Sequence, residues 1–488
     1  MTSSFSCLDR YCRFRFSCSL SIMAIVLTTA FASGCGGGSS GTTLRGNTTV
    51  VVLASSTAND QLAQFPVTLK NLTLTSQSGN KVTVFSAPVS AEFIHLNGTL
   101  EPLATATIPQ GTYTSATAVY DGANAVCIGL QIVDGAINGP GTPDTTVTLP
   151  SPIEVTGTAM GLVLNLQVSQ SAPFTGGCVQ GFTLPAAISP VFNLTPLSIA
   201  TQPTNSANGK ALGLEGTIAS IDSTGTGFTV ASLVGYFNGY TPTWQVNADG
   251  STVFQGTTNV SGLSTGMPID MDVALQADGS LMATRVAVYN TDATNLSLSN
   301  GQLILADPVA PNVDGLSAQF SGNISELYDV FGYGNAISQV SNQFTNLQNL
   351  PFVATFNAAN TVAGQNVLVT SNAAPVDGFS PDPLPLTTMT LMPQTINGTV
   401  SAMSTSGNFT TYTITLAAYD PFVVLADQPG QPTLASPSTV VVYADGNTQR
   451  LSSSSVSVGG VFRFYGLVFN NNGTLSMDCA QVNNGVAE

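Results

Sequence analysis

The string Gly262-Leu263-Ser264-Thr265-Gly266 has the G-x-S-x-G spacing that lifts a serine nucleophile onto a sharp strand-to-helix turn. Acyl transfer from such a serine requires a histidine and an acid within hydrogen-bond reach. The chain has one histidine, His95, far upstream, and residues 267–275 alternate like a strand instead of opening a helix. An inter-strand loop is therefore expected. Asp222-Ser223-Thr224-Gly225 carries one residue more than the D-[ST]-G string that presents one half of a proton-sharing aspartate pair. No second copy of that string occurs, so a hairpin is expected. Asp270 and Asp272 share one face of an alternating run. They have the chemistry to hold a hard cation or to act as paired carboxylates, although a solvated sheet face is the expectation. No His/Cys cluster has zinc-ligand spacing, and Lys70, Lys81 and Lys210 lie outside any phosphate-cradling Gly-Lys loop. Neither catalytic residues nor a metal or cofactor is expected, and the chain is read as a non-enzyme.

A binding role has one aromatic-rich candidate. Tyr236, Phe237, Tyr240 and Trp244 fall within ten residues rich in Gly and Asn (235–244, GYFNGYTPTW), the equipment for stacking on sugars or packing a partner. The competing reading is a loop folded back on its own barrel.

The elements that would position these residues are strands. Leu162, Leu164 and Leu166 alternate with Val163, Asn165 and Gln167; Ile269, Met271, Val273 and Leu275 alternate with Asp270, Asp272 and Ala274. Tyr412, Ile414 and Leu416 alternate with threonines. Such runs bury one face of an antiparallel sheet and wet the other. Asn-Gly and Asp-Gly pairs at 97, 121, 249, 278, 397, 445 and 472 supply the positive φ angles of tight hairpins. One helix is predicted, capped by Asn335, with Ile337, Val340, Phe344 and Leu347 on one face. The fold class is all-β: an N-terminal antiparallel β-sandwich, then two or three small β-barrel or sandwich repeats, with at most one or two short helices.

Composition bounds the partners. Charged residues make up 7% of the chain and hydrophobic residues 43%, so the chain buries real cores beneath a neutral, hydroxyl-rich surface. The net charge is −16, and only seven of the 10 basic residues follow Cys35. Seven scattered cations build no basic face, which excludes nucleic-acid binding and direct attraction to anionic lipid.

The N-terminus carries export information. Arg10, Arg13 and Arg15 precede an apolar run (20–32, LSIMAIVLTTAFA) of signal-peptide length, too short to span a bilayer. Ala32-Ser33-Gly34-Cys35, followed by Gly36-Gly37-Gly38-Ser39-Ser40, resembles the bacterial lipobox, in which the cysteine is acylated and becomes the mature N-terminus. Ala32 replaces the leucine that such motifs prefer. The resemblance implies lipidation at Cys35 and a lipid anchor in the membrane. Gly36, rather than Asp, implies the outer membrane. Cys7, Cys12 and Cys18 would leave with the signal peptide. Cys127 and Cys178 are a disulfide candidate in an oxidising compartment, worth about 4 kcal/mol if that long loop closes. Two separate buried thiols are the alternative, and Cys479 has no evident partner.

An internal repeat runs through the C-terminal part. Gly216-Thr217-Ile218-Ala219-Ser220-Ile221 is echoed by Gly398-Thr399-Val400-Ser401-Ala402-Met403. Asp278-Gly279-Ser280-Leu281-Met282-Ala283 is echoed by Asn472-Gly473-Thr474-Leu475-Ser476-Met477. A degenerate middle copy is placed from Ser321-Gly322-Asn323-Ile324-Ser325 and through residues 352–356. The repeats resemble the bacterial domain-of-unknown-function family 5666. The first domain resembles domain-of-unknown-function family 4382, on residues 100–104 (LEPLA), 108–114 (IPQGTYT), 164–171 (LNLQVSQS) and 192–196 (FNLTP). Asn165 and Gln167 stand where that family carries acids. Both resemblances imply exported β-domains, and neither carries an activity over to this chain.

The expected organisation is a signal peptide (1–34), a Gly/Ser tether (35–48), a β-sandwich (49–200) and a linker (201–213). Barrel-like repeats follow at 214–300, 301–392 and 393–488, with a Pro-rich loop around 373–385. The expected role is that of a non-catalytic envelope lipoprotein that binds an envelope protein or polysaccharide, or serves structurally, at the cell surface or in the periplasm. The alternative is a carboxylate-dependent hydrolase of envelope or extracellular glycans, which would need two acids about 5–10 Å apart in a cleft.

Overall fold

The N-terminal sandwich is built around a strand of sequence NTTVVVLASS whose two faces are both apolar (Asn47–Ser56). A computed structural model describes residues 46–485 apart from 58–61, 95, 124, 128–143, 173–187, 198–209, 233–241, 277, 289–296, 307–315, 321–326, 332–336, 342, 345, 372–381, 419, 425–431 and 453. Asn47–Ser56 pairs in parallel with Ala159–Leu166 and antiparallel with Glu101–Pro109, and Phe192–Leu197 completes a four-stranded sheet. The facing six-stranded sheet is centred on Pro66–Ser76 and Gly111–Ala123. Val50, Val52 and Ala54 point into the core between the sheets, against Leu72, Leu74, Leu164 and Phe192. Val51 and Leu53, on the opposite face, join the core of the next module. A strand covered on both sides reads as a continuous apolar run, which is why this segment shows no alternation in sequence.

That next module is a ring of five strands. Lys210–Ile221 pairs with Gly227–Ser232 and with Pro268–Leu275. Gly227–Ser232 pairs with Thr243–Asn247, Pro268–Leu275 pairs with Leu281–Val288, and a parallel pairing of Thr243–Asn247 with Leu281–Val288 closes the ring. Val253–Gln255 adds in parallel outside Leu281–Val288.

The same circuit recurs twice. In the third ring, Gln394–Ser406 pairs with Phe409–Leu416 and Val461–Asn471. Thr439–Arg450 meets Thr474–Asn484 in parallel to close the barrel. In the second ring, the first four strands are Ser297–Ala306, Leu316–Phe320, Leu327–Phe331 and Asn366–Ser371. Its fifth strand is split into Asp382–Pro385 and Thr388–Leu391, which pair with the third and fourth strands respectively. Five strands in the order 1-2-3-5-4, with 3 and 5 parallel, are the circuit of the OB-type barrel.

The glycine that opens the repeat motif has a steric reason. A Cβ on Gly216 would lie 2.5 Å from the Ala231 carbonyl oxygen, and one on Gly398 would lie 2.6 Å from the Thr415 carbonyl oxygen. In both rings the second strand crosses the first too closely for any side chain at this point.

Two expectations are corrected. The predicted helix at 335–347 is absent: Ile337–Val340 is a strand lying parallel to Thr388–Leu391, and a single 3-10 turn follows at Leu347–Asn349. Apolar spacing in a short run does not separate helix from strand, and here the edge of the second ring offered hydrogen bonds that the Asn- and Ser-rich segment could take. The middle copy opens on Ser297–Ala306, upstream of the 321–325 segment, which lies outside the described residues. Its residues 352–356 form no strand, although Phe356 enters the core that joins the second and third rings.

Val461–Asn471 serves the C-terminal half as Asn47–Ser56 serves the N-terminal half. Phe462, Phe464 and Val468 fill the third ring, while Leu467 and Phe469 pack on Val367, Met389 and Leu391 of the second. Sandwich and rings belong to one compact unit, residues 44–488. Among the described residues no helix is long and apolar enough to cross a membrane.

Candidate functional site

Asp270 and Asp272 do not form a solvated acidic face. Asp270 is fully buried, and Arg285 on the neighbouring strand lies between the two acids. Its Nη2 reaches Asp270 Oδ2 at 2.7 Å and its Nε reaches Asp272 Oδ2 at 2.9 Å. The second ring contributes the Ser341 hydroxyl, donating to Asp270 at 3.2 Å, and the Gln343 amide, donating to Asp272 at 3.2 Å. The Gly213 N–H donates to Asp272 at 2.8 Å. The third ring contributes Tyr465, whose phenol is held well above its ordinary pKa by burial and then by the charges of Asp270 and Asp272. The sequence reading missed the pairing because Arg285 is separated from the acids by a hairpin. The cluster is a polar node joining three rings, with protein donors on Asp270 Oδ2 and on both oxygens of Asp272.

Beside this node opens a cleft of about 990 Å3. The third ring supplies most of its wall: Asn408 and Phe409, the bulged segment Asp445-Gly446-Asn447-Thr448-Gln449, and Asp478 to Ala480. Gln343, Phe344, Asn346 and Asn349 come from the second ring, and Leu212 and Asp272 from the first. Among the described residues no lysine or arginine lines it.

One of its carboxylates, Asp445, is positioned by the repeat. Asp445 Oδ1 accepts the Asn447 and Thr448 N–H groups at 2.7 and 3.2 Å, and Thr448 Oγ1 donates to the Cys479 carbonyl at 2.8 Å. In the first ring, Asp249 accepts the Ser251 N–H at 2.8 Å and Thr252 donates to the Ala283 carbonyl at 2.8 Å. The string D-G-[SN]-T is a turn after strand three at 249 and a bulge within strand three at 445, and in both rings its threonine ties strand three to strand five. It was visible in the sequence only as two Asp-Gly pairs. Asp478 lies nearby, half-buried, and burial together with the Asp445 charge pushes its carboxyl up to about 7.

Aromatic rings extend from the cleft wall inward. Phe409 meets Tyr443 edge-on at 6.3 Å, Tyr443 lies 5.0 Å from Phe352, and Phe352 lies 5.9 Å from Phe469. Phe409 is thereby braced at the rim. Amide donors, carboxylate acceptors and a braced aromatic ring can hydrogen-bond and stack a neutral polyhydroxylated ligand.

Trp244 stands elsewhere. It is buried on Thr243–Asn247 in the core of the first ring, and its indole N–H donates to the Pro102 carbonyl at 2.6 Å. Tyr236, Phe237 and Tyr240 lie outside the described residues, so the four aromatics are not brought together. Trp244→Phe is expected to leave that carbonyl unpaired and to lower unfolding free energy by about 1–3 kcal/mol, read from urea denaturation by circular dichroism.

Cys35, His95 and Cys178 also lie outside the described residues; Cys127 pairs through its backbone with Leu62. Cys479 is a buried free thiol, its pKa raised chiefly by burial. Ser264 sits on an exposed loop that runs into Pro268–Leu275, a strand and not the helix an elbow requires. Asp222 begins the turn between the first two strands of the first ring. Among the described residues no group of three or more His, Cys, Asp or Glu side chains is placed to hold a metal ion.

The family model of a domain of unknown function (DUF5666) matches residues 215–287, the first ring almost from end to end. No curated protein matches the chain. Among solved structures, the Drosophila Unr CSD456 chain aligns with 57% of this chain and 99% of its own length at 11% identity. The TM-score is 0.14, too low to carry fold or function.

Proposed function

We propose that this chain is a non-catalytic binding protein of the bacterial cell envelope, anchored through a lipid on Cys35, whose fused β-rings hold a neutral polysaccharide in the cleft on the third ring. The observation that carries this reading is the cleft wall itself: Asp445, Asp478 and several amides beside Phe409, with no cation among them. OB-type barrels bind oligonucleotides or oligosaccharides on the strand 2–3 face and its adjoining loops, which is where Phe409 and Asp445 stand. That support is analogy of fold. The acidic wall and the net charge of −16 separate the two ligand classes, because phosphate backbones need cations to bind.

The test is calorimetric titration of the full chain with neutral glucose and N-acetylglucosamine oligomers, together with the Phe409→Ala and Asp445→Asn variants. Saturable binding that weakens about tenfold in each variant, with no new reducing ends released, is expected. Absence of binding to either series would remove the glycan reading. Release of reducing ends abolished by Asp445→Asn would replace it with a carboxylate-dependent hydrolase. Intact-mass analysis of the membrane fraction checks the anchor: a diacylglycerol-sized increment on a chain starting at Cys35 should vanish in Cys35→Ala.

A further inference from the structure

We propose that the junction of the N-terminal sandwich with the first and third rings is a binding site for a small tetrahedral oxyanion, phosphate or sulfate, held by Lys210 and Arg463. The junction encloses a cavity of about 260 Å3, separate from the glycan cleft in its charged residues. The sandwich contributes Ser55, Thr99 and Asn165, the first ring Lys210, and the third ring Arg463 and Asn483. Among the described residues no carboxylate lines it.

The charge pattern is what singles it out. Acidic residues outnumber basic ones by 26 to 10 in this chain, and only seven basic residues follow Cys35. Two of those seven converge on one small cavity from different modules, where the surrounding groups are amides and hydroxyls. Among the described residues neither has an ion-pair partner; the ion pairs shown are those of Arg285. Arg463 gives its Nε to the Asn484 carbonyl at 2.9 Å and its Nη1 to the Ser56 carbonyl at 3.1 Å, both neutral acceptors. The turn at Gly98 lies against the guanidinium so closely that a Cβ there would sit 2.6 Å from Arg463 Cζ. The guanidinium is thus fixed in orientation but not neutralised.

Burial with no compensating acid pulls the Arg463 pKa down to about 10. Arg463 is half-buried; a partly desolvated cation without a counter-charge is costly, and an anion entering the cavity offsets that cost. Guanidinium presents a planar fork of donors suited to a tetrahedral oxyanion, and the lysine adds a mobile second charge. The amide and hydroxyl groups complete a set of donors. The cavity has room for one such ion and several waters at about 30 Å3 each.

The experiment is thermal unfolding and calorimetric titration of the full chain in sodium phosphate, sodium sulfate and sodium chloride at equal ionic strength. Phosphate or sulfate should raise Tm progressively above the chloride value, as any ligand specific to the folded state does. Equal responses mark a general oxyanion site, and a response to one anion identifies it. Lys210→Gln carries the mutational test, because Arg463 also ties the sandwich to the third ring and its loss could unfold the junction. The lysine variant should keep the chloride Tm of the parent and bind the anion at least tenfold more weakly. No elevation above chloride, or an elevation unchanged in Lys210→Gln, would overturn the site. Asp445→Asn should leave the anion response intact, so the outcome is independent of the glycan reading.

Discussion

Arg285→Ala is expected to destabilise the chain by about 3–5 kcal/mol, the range for removing one partner of a buried ion pair. The substitution leaves Asp270 with no exposure to water and Asp272 little better, two like charges on one strand. It also leaves the hydrogen bonds of Ser341 and Gln343 from the second ring directed at carboxylates that have lost their counter-charge. Urea unfolding followed by the fluorescence of the single tryptophan, Trp244, reads this directly, because that indole lies in the first-ring core. The double variant Asp270→Asn with Arg285→Met should recover part of the loss, since it removes the fully buried charge along with its partner and leaves only the partly exposed Asp272 carboxylate. A loss below about 1 kcal/mol in the single variant would mean that water reaches the carboxylates and that the node is not what holds the rings together.

Stability should fall as pH rises from about 4 to 7, the reverse of the usual response of a carboxylate-rich chain. Burial pushes Asp420 up to about 7, and burial with the Asp445 charge does the same for Asp478. Below the unfolded value of 3.8 both states carry the proton, and the favourable contribution is fully present. Through the window above it the folded state holds protons that the unfolded chain has lost, so stability declines. Each fully shifted group contributes a slope of about 1.4 kcal/mol per pH unit, and the decline levels off above about pH 7. Asp249 and Asp278 act oppositely: hydrogen bonds from Ser251 and Ser280 lower their pKa values, and their contribution is lost only as pH falls below the ordinary carboxylate range. Urea midpoints between pH 4.5 and 8.5 should therefore be highest at the acidic end. Asp420→Asn keeps an oxygen to accept the Phe422 N–H and should flatten part of the slope. A parent whose midpoint rises with pH across this range would show that both groups ionise in the folded state at no penalty.

How much of this was legible in the sequence depends on the range of each interaction. Alternation at 162–166, 269–275 and 412–416 placed three strands, because a period of two needs only local side-chain orientation. Asp-Gly and Asn-Gly pairs placed turns for the same local reason. The echo of Gly216-Thr217-Ile218 in Gly398-Thr399-Val400 exposed the repeat, since the steric demand at each glycine is met within its own ring. The acidic, cation-poor composition argued against nucleic acid without any coordinates.

Everything that depends on residues meeting across modules waited for the tertiary structure. The strand at Ile337–Val340 read as helix because its partner, Thr388–Leu391, lies about fifty residues away. Trp244 read either as a binding aromatic or as part of a loop folded on its own barrel, and nothing local reveals that Pro102, in another module, accepts its N–H. Asp270 and Asp272 read as solvated because the covering groups Ser341, Gln343 and Tyr465 come from two other rings. The cleft around Asp445 and Asp478, and the cavity between Lys210 and Arg463, exist only where separate modules converge. Local sequence determined the strands, turns and repeating barrels of this protein; the placing of its charges, and with it every candidate site, was decided by contacts between distant segments.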